Sequence, residues 1–260
     1  MGIPDLLLDR TLVLVAHADD ESAGCGALLQ RMAEPIVVIA TDGAPRDEFF
    51  WAKAGSRLRY ARVRVEEAHT ALGLAGVNEV VLLAENSGQE CFVDQELCRA
   101  IPQALEELTG IVRRYRPVAL LTTAYEGGHP DHDVCSFLAA VLSRQHQLPV
   151  WEFPLYHRGY ADRPVFQHFL LPAGEEMELE ITPEEMQVKR QMLAAYGSQH
   201  PFLLEFNSAV ERYRTQPAYD YSQPPHFGPL NYEAWQWPIK GSEVCAEFAW
   251  FLQVQQRRAV

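Results

Sequence analysis

Two short stretches of this chain concentrate side chains able to do acid–base or metal chemistry. The first is His17-Ala18-Asp19-Asp20-Glu21. The second is Tyr125-Glu126-Gly127-Gly128-His129-Pro130-Asp131-His132-Asp133. Successive carboxylates in the first would repel one another unless a cation or hydrogen-bond donors compensated. Gly127 and Gly128 let the second turn sharply beside a ligand, and Pro130 stiffens it. His and Asp suit a borderline divalent ion. Three protein ligands with an open position make a hydrolytic site, because the pKa of bound water falls to about 7. A spare carboxylate can then take the water's proton, and a spare imidazole can stabilise an oxyanion. Either stretch alone reads more readily as capping or surface groups, so the elements that carry both decide the matter.

Each stretch follows a buried-type strand. Leu12-Val13-Leu14-Val15-Ala16 is a continuous apolar run, and Val118-Ala119-Leu120-Leu121-Thr122-Thr123 is another. Between them the spacing predicts a helix around 28–32, a strand at 36–40, a helix from Arg57 to Leu72 stopped by Gly73, a strand at 80–83 and a helix over 94–116. A helix over 134–144 and a strand at 150–153 follow. Thr182 is the expected N-cap of a helix opened by Pro183. Strands alternating with helices imply an α/β fold, Rossmann-like, with a mostly parallel sheet covered on both faces. In such sheets ligands bind beyond the carboxyl ends of strands, where both stretches lie. Beyond Gln199 the chain is rich in Pro and aromatics and is expected to be irregular. The simplest division is a single domain, 1–260, with an α/β core over 1–160 and a C-terminal extension over 161–260 that packs on the core and shapes the pocket.

The 260 residues are 48% hydrophobic, enough for a large core, and carry a net charge of −13. Such acidity argues against nucleic acid as a partner, since phosphate binding needs a basic surface. Cys25, Cys91, Cys98, Cys135 and Cys245 are scattered without a C-x-x-C pair, which favours reduced thiols over disulfides or a thiolate zinc site. The start carries Asp5 and Asp9 and no basic region. It is read as neither signal peptide nor anchor, with no integral membrane segment and a cytoplasmic location expected.

His17-Ala18-Asp19-Asp20-Glu21 and His129-Pro130-Asp131-His132 resemble the two signature motifs of the PIG-L/LmbE-like deacetylases, zinc hydrolases acting on N-acetylglucosamine-type substrates. The likeness extends through Thr41-Asp42-Gly43, the helix ending at Leu72-Gly73 and Ser198-Gln199, most of the first 200 residues. By that resemblance His17, Asp20 and His132 are the zinc ligands and Asp19 is the general base. His129, as imidazolium, stabilises the tetrahedral intermediate, Asp131 orients and tunes His129, and Glu21 supports the ligands through hydrogen bonds. Zinc is the implied cofactor, with iron(II) or cobalt(II) compatible with a His₂Asp set. Two departures stand out: Ala18 occupies a usual proline position, and Gly127 lies where some members carry an oxyanion-assisting tyrosine, leaving Tyr125 or Glu126 to replace it.

The implied activity is removal of an acetyl group from an N-acetylated sugar or glycoconjugate, releasing acetate and a free amine. An amidase acting on a non-sugar N-acyl or thiol-conjugate substrate is the alternative. A dinucleotide-binding oxidoreductase is disfavoured because Gly24 and Gly26 lack the third glycine, Leu29 standing in its place. A non-enzymatic binding protein is disfavoured by the intact motif set. Asp42, Arg46, Arg62 and Asp94 are candidate substrate contacts, each set against a plain turn or surface role; Arg64 is similar. The aromatic residues from Tyr213 to Trp237 form either a sugar-stacking wall or ordinary core.

Overall fold

The apolar runs of the first 160 residues become the strands their spacing predicts. A computed structural model describes residues 2–86, 91–159 and 163–258. In it Thr11–Val15 (β1), Ile36–Ile39 (β2), Glu79–Leu82 (β3), Ala119–Thr123 (β4) and Val150–Phe153 (β5) pair in parallel, in the order β3-β2-β1-β4-β5. β1 is buried along its whole length. Each fully buried Leu or Val contributes roughly 1.5–3 kcal/mol of transfer free energy. A strand with no polar face therefore belongs at the centre of a covered sheet.

The covering helices are Asp20–Arg31 (α1), Arg57–Leu74 (α2), Ile101–Tyr115 (α3), Pro130–His146 (α4), Pro183–Ala195 (α5) and Gly241–Arg258 (α6). Alternation along β1 separates two cores. Leu12 and Leu14 pack with Leu108 of α3, Phe137 of α4 and Phe248 of α6. Val13 and Val15 pack on the other face with Leu28 of α1, Leu72 of α2 and Met192 of α5. Thr182 and Glu185 close the expected N-terminus of α5 as a reciprocal capping box.

Several boundaries differ from the sequence reading, and two of them matter for the site. α1 starts at Asp20 and α4 at Pro130, so Asp20 and His132 stand in first helical turns rather than in loops. The helix expected over 94–116 is a 3-10 turn at Leu97–Ala100 followed by α3. The C-terminal third is more regular than its composition suggests. Met177–Glu180 (β6) and Val210–Thr215 (β7) add an antiparallel edge, extending the sheet to β3-β2-β1-β4-β5-β7-β6. In α6, Val244, Phe248 and Phe251 recur at helical spacing and are buried. No helix among the described residues is long and apolar enough to cross a membrane, and the five cysteines are free.

β1 has β2 on one side and β4 on the other. The chain leaves β1 toward β2 and β3, then crosses back to β4. The crevice at the carboxyl ends of β1 and β4 is the topological switch point of the sheet.

Candidate active site

His17 follows the end of β1, and its backbone N–H donates to Asp20 Oδ2 at 2.8 Å. The connecting Asp19 has φ 129°, a conformation non-glycine residues adopt only when their surroundings impose it. The surroundings are fully buried Glu21 and Arg64 of α2. Glu21 accepts from Asp19 N–H (3.0 Å), Ser22 Oγ (2.6 Å) and Tyr196 OH (2.5 Å). The Arg64 guanidinium donates to Ala18 O at 2.5 Å and lies 3.3 Å from Asp19 Oδ2. Burial pushes the Asp19 carboxyl up to about 7, with Arg64 acting in the opposite direction.

The loop after β4 is fixed as tightly. A Cβ on Gly128 would lie 1.9 Å from the carbonyl oxygen of Tyr156, so only glycine permits this approach. Gly127 has φ 71°. Asp133 accepts from Glu126 N–H (3.2 Å) and Gly127 N–H (3.0 Å) and closes the loop onto α4. His129 is the N-cap of α4: its Nδ1 accepts from Asp131 N–H at 3.1 Å. That bond assigns the proton of the neutral ring to Nε2.

The two loops meet. The Asp20 carboxylate lies between both expected histidine ligands, 3.3 Å from His17 Nδ1 and 3.1 Å from His132 Nε2. On the other side of His17, Nε2 lies 3.2 Å from Asp94 Oδ1 and 3.3 Å from Asp131 Oδ2. His129 Nε2 is 3.4 Å from Asp94 Oδ1. Among the described residues two donor sets are compact enough to share one ion: the imidazoles of His17, His129 and His132, and His17 with Asp94, His129 and Asp131. Asp20 belongs to neither set, although it contacts two of the three rings through different oxygens.

These groups fit a divalent cation. His132 Nδ1 is buried without a hydrogen bond, and His132 Nε2 and Asp94 Oδ1 are buried with only the ionisable site groups for partners. Asp19, Asp20, Asp94 and Asp131 are all buried, and among the described residues lining the cavity Arg64, paired with Asp19, is the one arginine. Burial works to lower the His17 pKa, yet Asp94 and Asp20 hold it well above its usual value. The pocket thus draws positive charge to the centre of an imidazole and carboxylate donor set.

Burial, and then the neighbouring His17 charge, lower the His129 pKa to about 4, while its Nε2 lies 3.4 Å from Asp94 Oδ1. Asp131 orients His129 through its backbone N–H. Its carboxylate lies 3.9 Å from His129 Nδ1 and instead accepts from Gln95 N–H (2.7 Å) and Leu97 N–H (3.1 Å).

Of the four candidate substrate contacts only Asp94 enters the cavity. Asp42 pairs with Arg57 and accepts from Ala44 and Asp94 N–H, so it holds the Asp94 loop from behind. Arg46 pairs with Glu96 at the surface. Arg62 is exposed, whereas Arg64 shares the buried stripe of Tyr60, Ala61, Ala68 and Ala71. That stripe is legible in the spacing and separates the two arginines. Neither Tyr125 nor Glu126 reaches the cavity. The Tyr125 hydroxyl donates to Gln223 O, and Glu126 accepts from Leu155 and Tyr156 N–H. Tyr156 lines the cavity instead, its ring 5.5 Å from that of His132. Of the late aromatics, Tyr213, Tyr221 and Tyr232 are core, while Trp235 and Trp237 line the cavity.

The cavity measures about 320 Å³. The histidines and aspartates form its floor, and aromatic rings from the segments 49–50, 156, 202–206 and 235–237 form its walls.

A family model described as PIG-L, GlcNAc-PI de-N-acetylase, matches residues 12–143, just over half of the chain. Among solved structures, a triple mutant of a deacetylase from the teicoplanin biosynthetic pathway superposes with a TM-score of 0.63 at 18% identity, over 81% of this chain and 99% of its own. An N,N'-diacetylchitobiose deacetylase from Pyrococcus horikoshii gives 0.56 at 20% identity, over 80% and 84%. A 4-carboxy-2-hydroxymuconate hydratase from Pseudomonas putida gives 0.58 at 16% identity, over 81% and 96%. At these identities the likeness is one of fold. No curated protein sequence matched significantly.

Proposed function

The chain belongs to the PIG-L family of de-N-acetylases, and from that premise we propose that it is a metal-dependent hydrolase removing the acetyl group from an N-acetylated sugar or glycoconjugate. The observation that carries this reading is the Asp20 carboxylate set between His17 and His132 at the switch point, with Asp19 beside them. His17, Asp20 and His132 would hold the ion, zinc by donor type, with iron(II) or cobalt(II) also suited. A bound ion supplies Lewis acidity toward the acetamide carbonyl and acidifies water.

The chain's own groups supply the rest. Asp19, held by Arg64 and by its neighbour Glu21, accepts a proton from the attacking water. The water oxygen bonds to the carbonyl carbon, and negative charge develops on the carbonyl oxygen. His129 Nε2–H donates to that oxygen. Asp19 then passes the proton to the nitrogen as the C–N bond breaks, leaving acetate and a free amine. Arg64 and Glu21 act as positioning residues, keeping the Asp19 carboxylate aimed at the floor.

The test is acetate release from a panel of N-acetylated sugars and glycosides by metal-loaded protein, with and without chelator, together with metal analysis. Release that stops with chelator and returns with zinc supports the reading. Release indifferent to chelator, or none from any member by metal-loaded protein, overturns it.

A further inference from the structure

The Asp131 carboxylate is fully buried and takes no part in the chemistry assigned to Asp19 and His129. Backbone pins both of its oxygens. Oδ1 accepts from Leu97 N–H at 3.1 Å, and Oδ2 accepts from Gln95 N–H at 2.7 Å. The turn that presents these donors is left-handed at Gln95, with φ 71°, and has φ −123° and ψ 6° at Glu96. Such a change of hand aims the N–H groups on either side of Glu96 at one anion. A glutamine holds the left-handed conformation only where its surroundings impose it. Here the anion it grips is a side chain of the protein itself.

The same Oδ2 meets His17 Nε2 at 3.3 Å, within hydrogen-bond geometry. Two competing relations are weaker. Asp94 Oδ1 lies 3.2 Å from the same nitrogen but outside hydrogen-bond geometry. His129 Nδ1 is 3.9 Å from Asp131 Oδ2 and already accepts from Asp131 N–H. The opposite nitrogen of His17, Nδ1, faces Asp20 Oδ2 at 3.3 Å, while the other oxygen of Asp20 faces His132 Nε2 at 3.1 Å. The His17 ring therefore turns one nitrogen to a fellow ligand and the other to a carboxylate fixed by backbone. A neutral imidazole carries one proton. A carboxylate that accepts a hydrogen bond from it fixes the tautomer and the ring plane, and makes the other nitrogen a stronger metal ligand.

Resting on the metal-dependent reading of His17, Asp20 and His132, we infer that Asp131 is a positioning residue for the metal centre. Held by the turn at 94–97, its carboxylate accepts from His17 Nε2–H and so commits His17 Nδ1 to the ion. One acid thereby ties together the loop after β1, the turn at 94–97 and the first turn of α4. Its carboxylate serves the ligand His17 rather than His129.

The test is the zinc affinity of the full chain, measured by competition with a chromophoric chelator. Asp131→Asn should weaken zinc binding by about 10–100-fold. His129→Ala, which removes the ring that Asp131 was expected to tune, should change it by less than about threefold. A crystal of the parent soaked in zinc gives a second reading that needs no substitution. The ion should lie on His17 Nδ1, with Nε2 toward Asp131. An Asp131→Asn affinity within about threefold of the parent overturns the inference. So do equal losses in the two variants, or an ion on His17 Nε2. A parent that binds no zinc removes the metal-dependent reading itself, so the two failures are distinguishable.

Discussion

Replacing Lys189 by Met is expected to lower the melting temperature by about 5–9 °C, and the reason lies in how α1 is built. The helix that begins with Asp20 is broken at Cys25, whose φ of −140° and ψ of 25° interrupt the hydrogen-bond ladder. Ala27 and Leu28 N–H donate instead to the two oxygens of Glu211, on β7, at 2.8 and 2.9 Å. Tyr213 OH donates to the same carboxylate at 2.7 Å, and Lys189 Nζ at 2.6 Å, with a second Lys189 bond to Ala23 O at 3.0 Å. Lys189 and Glu211 are each no more than 1% exposed. Removing one member of such a buried pair costs about 3–5 kcal/mol, because the other charge stays behind. Unfolding entropy for a chain of this length is about 0.5 kcal/mol per kelvin, which converts that loss into the stated shift. Thermal unfolding followed by far-UV circular dichroism provides the measurement. Lys189→Met combined with Glu211→Gln should be less destabilised than the sum of the single variants by at least about 1 kcal/mol. A Tm within 2 °C of the parent, or effects that simply add, would refute the view that this pair splices α1 to the sheet.

Asp19→Asn should lower kcat for acetate release by about 10²–10⁴-fold with Tm unchanged within a few degrees, and near-normal turnover would remove Asp19 from the base role. Gly128→Ala must displace either the His129 loop or the Tyr156 backbone, because its Cβ would lie 1.9 Å from Tyr156 O. A shift near 1 Å costs on the order of 10²-fold in kcat, so an Ala variant with full activity would contradict the close approach. Glu185, paired with Arg31 at 2.6 Å, is lowered to about 2 chiefly by that hydrogen bond. A depressed carboxyl contributes stability above its unfolded pKa of 4.5 and loses it as pH falls toward 2. Arg31→Gln should therefore cost about 0.5–1 kcal/mol at pH 6, a value reduced by solvent screening, and less than half of that at pH 3. Urea unfolding at the two pH values measures it, and a difference that does not shrink would break the linkage.

What the chain could declare locally, it did. Continuous apolar runs can be covered only inside a two-faced sheet, so β1, β2, β4 and β5 were legible, and with them the switch-point location of both motifs. The Thr182 cap is likewise a short-range hydrogen-bond pattern written in adjacent residues. His17, Asp20 and His132 were legible as a set only through their resemblance to a family. Their meeting around one carboxylate is a tertiary fact, since His17 follows β1 and His132 stands in the first turn of α4. Helical spacing separates Arg64 from Arg62, but only tertiary structure set Arg64 beside Asp19. It brought Asp94 to His17 and His129, turned Asp42 away to Arg57, and drew Trp235 and Trp237 from the far end of the chain over the site. Strand and cap signals act over a few neighbouring residues, whereas these contacts span tens to hundreds of positions. They exist only once burial of the two cores has fixed where each element stands.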